Sequence, residues 1–348
     1  MISYKDKIAD ILAAHVDGVE REDIVSMIES PTDSKMGDYA FPCFKLAKVM
    51  RKAPPVIAES IADQIRDEDI FEKVENVKAY VNMFISKKAF ADEVVTEVIL
   101  KGDDYGRSEA GSGKKVIIEY SSPNIAKPFH IGHIRSTVIG NSIYKIYDFL
   151  GYDTVRINHL GDYGTQFGKM ICAYRRWGNK EDVINEPLKS LLSYYTKFHE
   201  EAEKHPELED EARTIFTKLE KGEPEEVELW QWFRDESLKE FNRVYDMMGI
   251  SFDSYNGESF YSDKMPRFVQ ELKDKGLLVE DNGAQIVRLD DYDLPPALIT
   301  KSDGSTLYIT RDIADAVYRK ETYDFYKNIY VVASQQNLHF QQWLKVIE

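Results

Sequence analysis

One stretch, residues 116–168, limits what this 348-residue chain can fold into more than any other. Val116-Ile117-Ile118, followed by Glu119 and Tyr120, has the length and β-branched content of a buried strand. A loop from Ser121 to Phe129 leads into a segment, Ile131 to Leu150, whose Ile134, Val138, Ile139, Ile143, Ile146 and Leu150 keep helical spacing. Residues Asp153 to His159 read as a second strand, which gives a β-α-β unit with a right-handed crossover and hence a parallel sheet. Gly161-Asp162-Tyr163-Gly164 then turns the chain into a helix from Thr165. The tetrad His130-Ile131-Gly132-His133 therefore sits where a strand hands over to a helix.

The first turn of a helix carries unpaired N–H groups and a partial positive charge, a ready site for phosphate. Two histidines three apart lie on one face of that turn, and each imidazole can donate to a phosphoryl oxygen. Gly132 lets a flat base or ribose approach the backbone, and Lys127 adds a mobile cation upstream. Two plainer readings compete. A His-x-x-His pair can hold zinc, although neither cysteine lies in the loop, and the imidazoles can be simple packing residues. Against packing, His130, His133, His159 and His339 all fall at expected strand ends, the usual ligand edge of an open parallel sheet.

The string Glu119-Tyr120-Ser121-Ser122-Pro123-Asn124-Ile125-Ala126-Lys127-Pro128-Phe129-His130-Ile131-Gly132-His133-Ile134-Arg135-Ser136-Thr137 resembles the signature of the arginyl-tRNA synthetases, a family of class I aminoacyl-tRNA synthetases. The tetrad alone, the HIGH motif, would indicate only a class I synthetase or a related nucleotidyltransferase; its flanks are far more specific. Matching patterns continue at Gly161 to Gly168, at Tyr308-Ile309-Thr310-Arg311-Asp312 and at Ser334-Gln335-Gln336-Asn337-Leu338-His339, so the resemblance covers essentially the whole chain.

That resemblance implies an α/β catalytic domain, a Rossmann-like parallel sheet with a helical insertion, preceded by a small α+β domain. It implies an arginine-tRNA ligase. ATP activates L-arginine by in-line attack of its carboxylate on the α-phosphorus, magnesium pyrophosphate leaves, and arginyl-adenylate passes the amino acid to tRNA(Arg). Lys127, His130 and His133 are the expected catalytic residues, stabilising phosphoryl charge rather than moving protons. Lys127 looks like the replacement for a second-motif lysine that many members lack. ATP is expected at Lys127, His130, Gly132, His133, Gly161, Asp162 and His339, with Mg2+ arriving on the nucleotide and no tightly bound protein metal. Arginine needs paired acceptors because a guanidinium is a charged, rigid fork of five donors. Glu119, Tyr308 and Asp312 supply them, while Ser122, Asn124 and Gln336 match positions that hold the amino-acid end. Plainer roles exist: Asp162 as the N-cap of the helix from Thr165, Asp312 as a first-turn helix acid, Tyr308 as a core aromatic.

The net charge of -16 opposes a nucleic-acid partner, because such affinity comes largely from Lys and Arg. It weakens as an objection if Lys127, Arg135, Lys169, Arg175 and Arg176 form a local positive field while the acidic stretches near 200–211 and 223–228 face solvent. The N-terminus lacks a signal pattern and no apolar run approaches a membrane span, so a cytoplasmic chain with no membrane partner is expected, as a monomer. Cys43 and Cys172 are too far apart in sequence to suggest a metal or disulfide framework.

In chain order, residues 1–99 read as a tRNA-contacting α+β domain. Ile8, Ile11, Leu12 and Val16 mark a first helix, and Pro55 stands near the start of another through Ile65. Gly37 to Pro42 resembles a turn of the family's N-terminal domain. Lys78 to Ile85 alternates like a strand, from which Tyr80, Asn82 and Phe84 could meet a splayed base; a hairpin strand packed on its own helices is the preferred reading. A linker at 100–114 precedes the catalytic domain, 115–348, with its insertion at about 180–250. There Leu188, Leu191, Leu192 and Tyr195 share one helical face, and Trp230, Phe233, Leu238, Phe241 and Tyr245 another that reads as core. Asn282-Gly283 marks a hairpin and Ser302-Asp303-Gly304 a second turn; Thr310 is placed to cap a helix through Tyr318, and Asn328 to Ala333 reads as a parallel strand. Neither a KMSKS-like loop nor an anticodon-binding domain follows, so the chain reads as a truncated piece that does not charge tRNA by itself. The rival readings are another class I synthetase or H-x-G-H nucleotidyltransferase, which would lack the Glu119, Tyr308 and Asp312 set, and a non-catalytic arginine-binding scaffold.

Overall fold

The computed structural model describes residues 3–16, 18–302 and 307–348. The chain divides into two compact units, Met1–Arg107 and Ser108–Glu348.

In the first unit, Ser3 caps α1 (Tyr4–Ala13) by accepting from the Asp6 N–H, and Ile8, Ala9 and Leu12 turn inward at helical spacing. α2 (Arg21–Met27), β1 (Tyr39–Pro42), α3 (Leu46–Met50), α4 (Pro54–Ile65), β2 (Phe71–Val77), β3 (Tyr80–Ile85) and α5 (Lys87–Lys101) follow. Proline opens α4 where its missing N–H costs nothing. The sheet is antiparallel in the order β1-β3-β2. Glycine is required at Gly37, which has φ +97° and whose added Cβ would lie 2.8 Å from the Met83 carbonyl oxygen. In the central strand β3, Val81 and Met83 face the core, and Asn82 is also shut off from solvent. This corrects the expectation that Asn82 could meet a base: a buried amide in a central strand offers no edge. Tyr80 and Phe84 stay half-buried, Tyr80 edge-on to Phe44 at 5.4 Å and Phe84 beneath the Lys73 ammonium at 5.2 Å.

The expected linker is shorter than its composition suggests. α5 runs through Lys101, and by residue 108 the chain is bound into the second unit, where the Ser108 N–H donates to the Phe149 carbonyl (3.2 Å) and the Gly111 N–H to that of Leu150 (2.9 Å).

The second unit opens with β4 (Lys115–Glu119), α6 (Ile131–Phe149) and β5 (Asp153–Ile157), parallel with Ile117 opposite Val155. Five helices follow: α7 (Thr165–Trp177), α8 (Lys180–Asn185), α9 (Pro187–Ala202), α10 (Glu207–Glu220) and α11 (Pro224–Met248). After a 3-10 turn at Glu258–Tyr261 come α12 (Met265–Asp274), β6 (Leu278–Asp281), β7 (Ala284–Val287), β8 (Ala297–Thr300), α13 (Tyr308–Tyr323), β9 (Lys327–Tyr330) and α14 (Asn337–Ile347). The parallel sheet has the order β5-β4-β9, and β6-β7-β8 form a small antiparallel sheet. Asn282 and Gly283, both with positive φ, make the two-residue hairpin between β6 and β7. Of Ser302-Asp303-Gly304, the last two lie outside the described residues.

Local packing departs from the plain reading at two points, the inward face of α6 and the expected cap at Thr310. Along α6, Val138, Ile139 and Ile146, with Leu150 just past its end, are exposed; Ile143 packs against this unit's core beside Tyr144 and Tyr147, and the buried positions are Thr137, Gly140 and Asn141. The helix lies so close to the loop after β4 that a Cβ at Gly140 would sit 2.2 Å from Tyr120, which selects small residues for the inward face. Thr310 caps nothing; α13 begins at Tyr308 behind Leu307, and the Thr310 hydroxyl donates to the Ile299 carbonyl at 2.6 Å. The aromatic face of α11 is core as read, with Phe233, Phe241 and Tyr245 buried against α7, α9 and the segment after β4.

Candidate active site

The loop from β4 to α6 is held in a conformation that ordinary residues avoid. Ser121, Ser122 and Ala126 all have positive φ, three of the eight such non-glycine residues described, within six positions. Each costs of order 1–3 kcal/mol unless its surroundings over-determine it, and such residues cluster at functional sites. The surroundings here are explicit. Asn158, just past β5, accepts from the Ser122 N–H (3.1 Å) and donates to the Tyr245 hydroxyl (3.0 Å). Tyr245 is 2.7 Å from Ser121 Oγ, and Thr137 Oγ1 is 2.8 Å from Ser121 Oγ and 2.6 Å from the His133 carbonyl. The Ala126 N–H donates to Ser237 on α11 (3.2 Å). Asn124 bridges Gly161 in parallel fashion, with Pro123 accepting from Gly161 and Gly161 from Ile125, both at 3.1 Å.

At the end of this loop the two histidines cap α6 reciprocally. The Gly132 N–H donates to His130 Nδ1 (3.1 Å), the His130 N–H donates to His133 Nδ1 (3.2 Å), and the rings stack at 3.9 Å. Because both Nδ1 atoms accept, the neutral rings carry their proton on Nε2, leaving two aligned donors at a helix N-terminus. Burial, and then the neighbouring His130, push the His133 pKa below its usual value, so it acts as a neutral donor. A side chain at Gly132 would approach within 2.9 Å of the His130 ring, so this glycine also protects the cap. Lys127 is exposed and, among the described residues, has no ion-pair partner. The imidazoles thus have a defined role at the cap that neither a zinc site nor plain packing supplies.

Across the sheet edge, Tyr308 opens α13, so Tyr308 and Asp312 share a face. His339 on α14 joins them: its Nε2 bonds the Asp312 carboxylate, and its ring lies 4.9 Å from that of Tyr308. Gln336 ends the short turn before α14 and is exposed. Glu119, at the end of β4, is buried and ion-paired through Oε2 to Arg319 Nη2 at 2.7 Å; Arg319 Nε lies 2.7 Å from Asp315 Oδ1. Burial opposes charge on His159, but Glu119 and Asp315 outweigh it and push its pKa up, with Asp312 acting in the same sense. Glu119, His159 and Asp315 bring potential ligand atoms within 4.8 Å of one another. The Arg319 guanidinium lies against both carboxylates of that trio and supplies the positive charge a cation would bring, which disfavours a metal there.

One assignment changes. Asp162 is fully buried, its Oδ2 accepting from Arg234 Nε (3.0 Å) and its Oδ1 from the Ser259 N–H (2.8 Å). It holds α11 to the 3-10 turn and can meet neither a ribose nor a histidine; nor does it cap α7, whose N-cap is Gly164. Gly161 has a structural use as well, since an added Cβ would strike Asn124 Oδ1 at 2.2 Å. The local positive field also fails: Lys169 pairs with Glu209 (2.7 Å), Arg175 with Glu226 (2.9 Å) and Arg176 with Glu211. Sequence reasoning placed His159 at the ligand edge without naming its partners, gave no role to Asp315, Arg319 or Asn158, and took Tyr245 only as core. The signal it passed over was the polar line Asp312, Asp315, Arg319 at helical spacing on α13.

Comparison with known proteins sets the class first. Residues 94–348 match the family model described as tRNA synthetases class I (R), catalytic domain, and residues 3–85 match the arginyl tRNA synthetase N terminal domain. The parallel sheet and the capped strand-to-helix turn are those of a class I tRNA synthetase. The chain is 60% identical over all 348 residues to the arginine–tRNA ligase of Clostridioides difficile (strain 630), of which it covers 62%, and 58% identical to that of Halothermothrix orenii, again covering 62%. The arginyl-tRNA synthetase structure from Plasmodium falciparum superposes with a TM-score of 0.66 at 25% identity, over 99% of this chain and 61% of that one. The chain belongs to the arginyl-tRNA synthetase family, and it spans about three fifths of the length of these relatives.

Proposed function

We propose that this chain supplies the amino-acid and ATP site of an arginine-tRNA ligase. The observation that carries the reading is the pairing of two features on one parallel-sheet edge. One is a helix N-terminus presenting two imidazole Nε2 donors; the other is a carboxylate set, Glu119 and Asp312, beside Tyr308. The first suits phosphoryl oxygens and the second a guanidinium. In this reading ATP lies along Gly132, with its phosphates at His130, His133 and Lys127. Arginine directs its guanidinium to Glu119, Asp312 and Tyr308, and its amino-acid end to Ser122, Asn124 and Gln336. Mg2+ arrives as part of the nucleotide substrate. Neutral donors fixed by the helix cap stabilise charge growing on the phosphate without changing protonation, and the exposed Lys127 adds a cation at the transition state. The product is arginyl-adenylate, passed to tRNA(Arg) by the enzyme at its full length, acting in the cytoplasm.

The test is Lys127→Ala in the enzyme at the full length of its relatives. Arginine-dependent adenylate formation should fall by about 100-fold to 1000-fold, the usual loss for a donor aimed at developing charge, with arginine affinity unchanged. Turnover unchanged at saturation, with arginine binding weakened, would reduce Lys127 to a positioning contact.

A further inference from the structure

We propose that Arg319 is a positioning residue that determines specificity: its guanidinium fixes the Glu119 carboxylate and keeps it available to a cationic ligand. The inference rests on the reading of Glu119 as an arginine acceptor, and extends it to a residue that no ligand touches. Arg319 is fully buried on α13, with Glu119 Oε2 and Asp315 Oδ1 each 2.7 Å away and the Tyr330 ring 5.4 Å from its guanidinium carbon. The ion pair uses Oε2 of Glu119, and in the proposed reading Oε1 is the atom that receives the ligand.

A buried arginine with two carboxylates is expensive to build. Its use follows from what faces Glu119. From α13 come Asp312, Asp315 and Arg319, from the segment after β5 His159, from β9 Tyr330, and from the turn at 258–261 Tyr261 beside Asp315 and Arg319. Two carboxylates, Glu119 and Asp315, meet here with Asp312 further along the helix, and burial already pushes the Asp315 carboxyl above its usual range. Without Arg319, Glu119 and Asp315 would hold a proton between them, as close carboxylates in a dry site do. A protonated Glu119 has lost the charge that distinguishes a guanidinium from a neutral isostere. Arg319 Nε and Nη2 lie close to the Asp315 and Glu119 oxygens without a well-aligned hydrogen bond, so the contribution is chiefly charge and placement.

The experiment is calorimetric titration of L-arginine into this chain and into Arg319→Gln, Arg319→Lys and the double variant Arg319→Gln/Asp315→Asn, from pH 6 to pH 8. ATP binding and melting temperature serve as controls. The parent chain should bind arginine with a nearly flat pH profile. Arg319→Gln should lose about 10- to 100-fold in arginine affinity at neutral pH, the worth of a hydrogen-bonded charge, and that affinity should climb as pH rises and the carboxylate pair gives up its shared proton. ATP affinity should stay within about twofold. Removing Asp315 as well should restore part of the arginine affinity, because Glu119 no longer shares a proton; Arg319→Lys should restore the flat profile with weakened binding. Arginine affinity unchanged in Arg319→Gln, or arginine and ATP affinity falling together with no rescue, would overturn the assignment. If Arg319→Gln does not fold, Arg319→Lys decides: a flat profile with weakened arginine binding supports the assignment and parental affinity overturns it. A parent chain that binds no arginine is a different result, since it removes the reading of Glu119 on which the inference stands.

Discussion

Tyr245 shows how one hydroxyl on an apparently apolar helix face can carry a site. Its ring packs in the core between Phe129 and Phe252, while its oxygen sits between Ser121 and Asn158 and so steadies a loop with three residues at positive φ. Tyr245→Phe keeps the packing and leaves Ser121 and Asn158 short of a partner. The expected cost is about 1–3 kcal/mol, seen as a lower denaturation midpoint at unchanged slope; a loss under about 0.5 kcal/mol would show that the loop does not depend on this bond. Sequence reasoning placed Tyr245 correctly as core, because apolar spacing reports burial. It could not place the hydroxyl, because the partners lie 124 and 87 positions away. The same limit explains Asp162: an acid after a glycine turn reads as a cap or a ligand, and only the return of Arg234 from the far end of the insertion shows that its charge is already used. His130, Gly132 and His133 were legible because their chemistry is local, a strand end, a loop and a helix start within a few positions of one another.

At the scale of elements, β4, α6, β5 and β9 fall close to where periodicity put them, and β5 lies beside β4 as the crossover requires; that β9 takes the other side of β4 was not legible. What periodicity did not show is which side of α6 faces inward, because its tightest approach is set by Gly140 against Tyr120 rather than by its larger residues. The end of β5 is fastened by Arg156, whose Nε and Nη2 donate to Asp253 at 3.0 and 2.6 Å and whose backbone N–H donates at 2.8 Å. These bonds, the side-chain contact first, hold the Asp253 pKa below its usual value. A depressed carboxyl stabilises the fold above its unfolded pKa of about 3.9 and loses that contribution as pH falls through the lower folded value. Asp253→Asn should therefore cost about 1 kcal/mol near pH 7, discounted for its partial exposure, and the difference from the parent should shrink toward zero below about pH 3. Unfolding curves at pH 7 and at the acid end test this; a penalty that did not change with pH would mean that packing, not charge, is lost.

For the whole molecule, the net charge of -16 is less a field than a set of local pairings. The acidic stretches around 200–211 and 223–228 were expected to face solvent and leave the basic residues free; instead Glu209, Glu211 and Glu226 take Lys169, Arg176 and Arg175. Of the five cations expected to form a positive surface, Lys127 and Arg135 remain without an ion pair among the described residues, and Lys127 lies in the loop that leads into the histidine cap. In the function proposed above, selectivity for a cationic substrate rests on the carboxylates at the end of β4 and on α13. The most direct measurement is calorimetric titration of this chain with L-arginine and, in parallel, with L-citrulline, which keeps the shape and replaces the charged fork with a neutral urea. Arginine should bind and citrulline should be weaker by about 10- to 100-fold, because the neutral urea forfeits the charge-assisted hydrogen bonds to carboxylates already held by Arg319 and His339, each worth about 1.5–3 kcal/mol. Equal affinities for the two would contradict the guanidinium site.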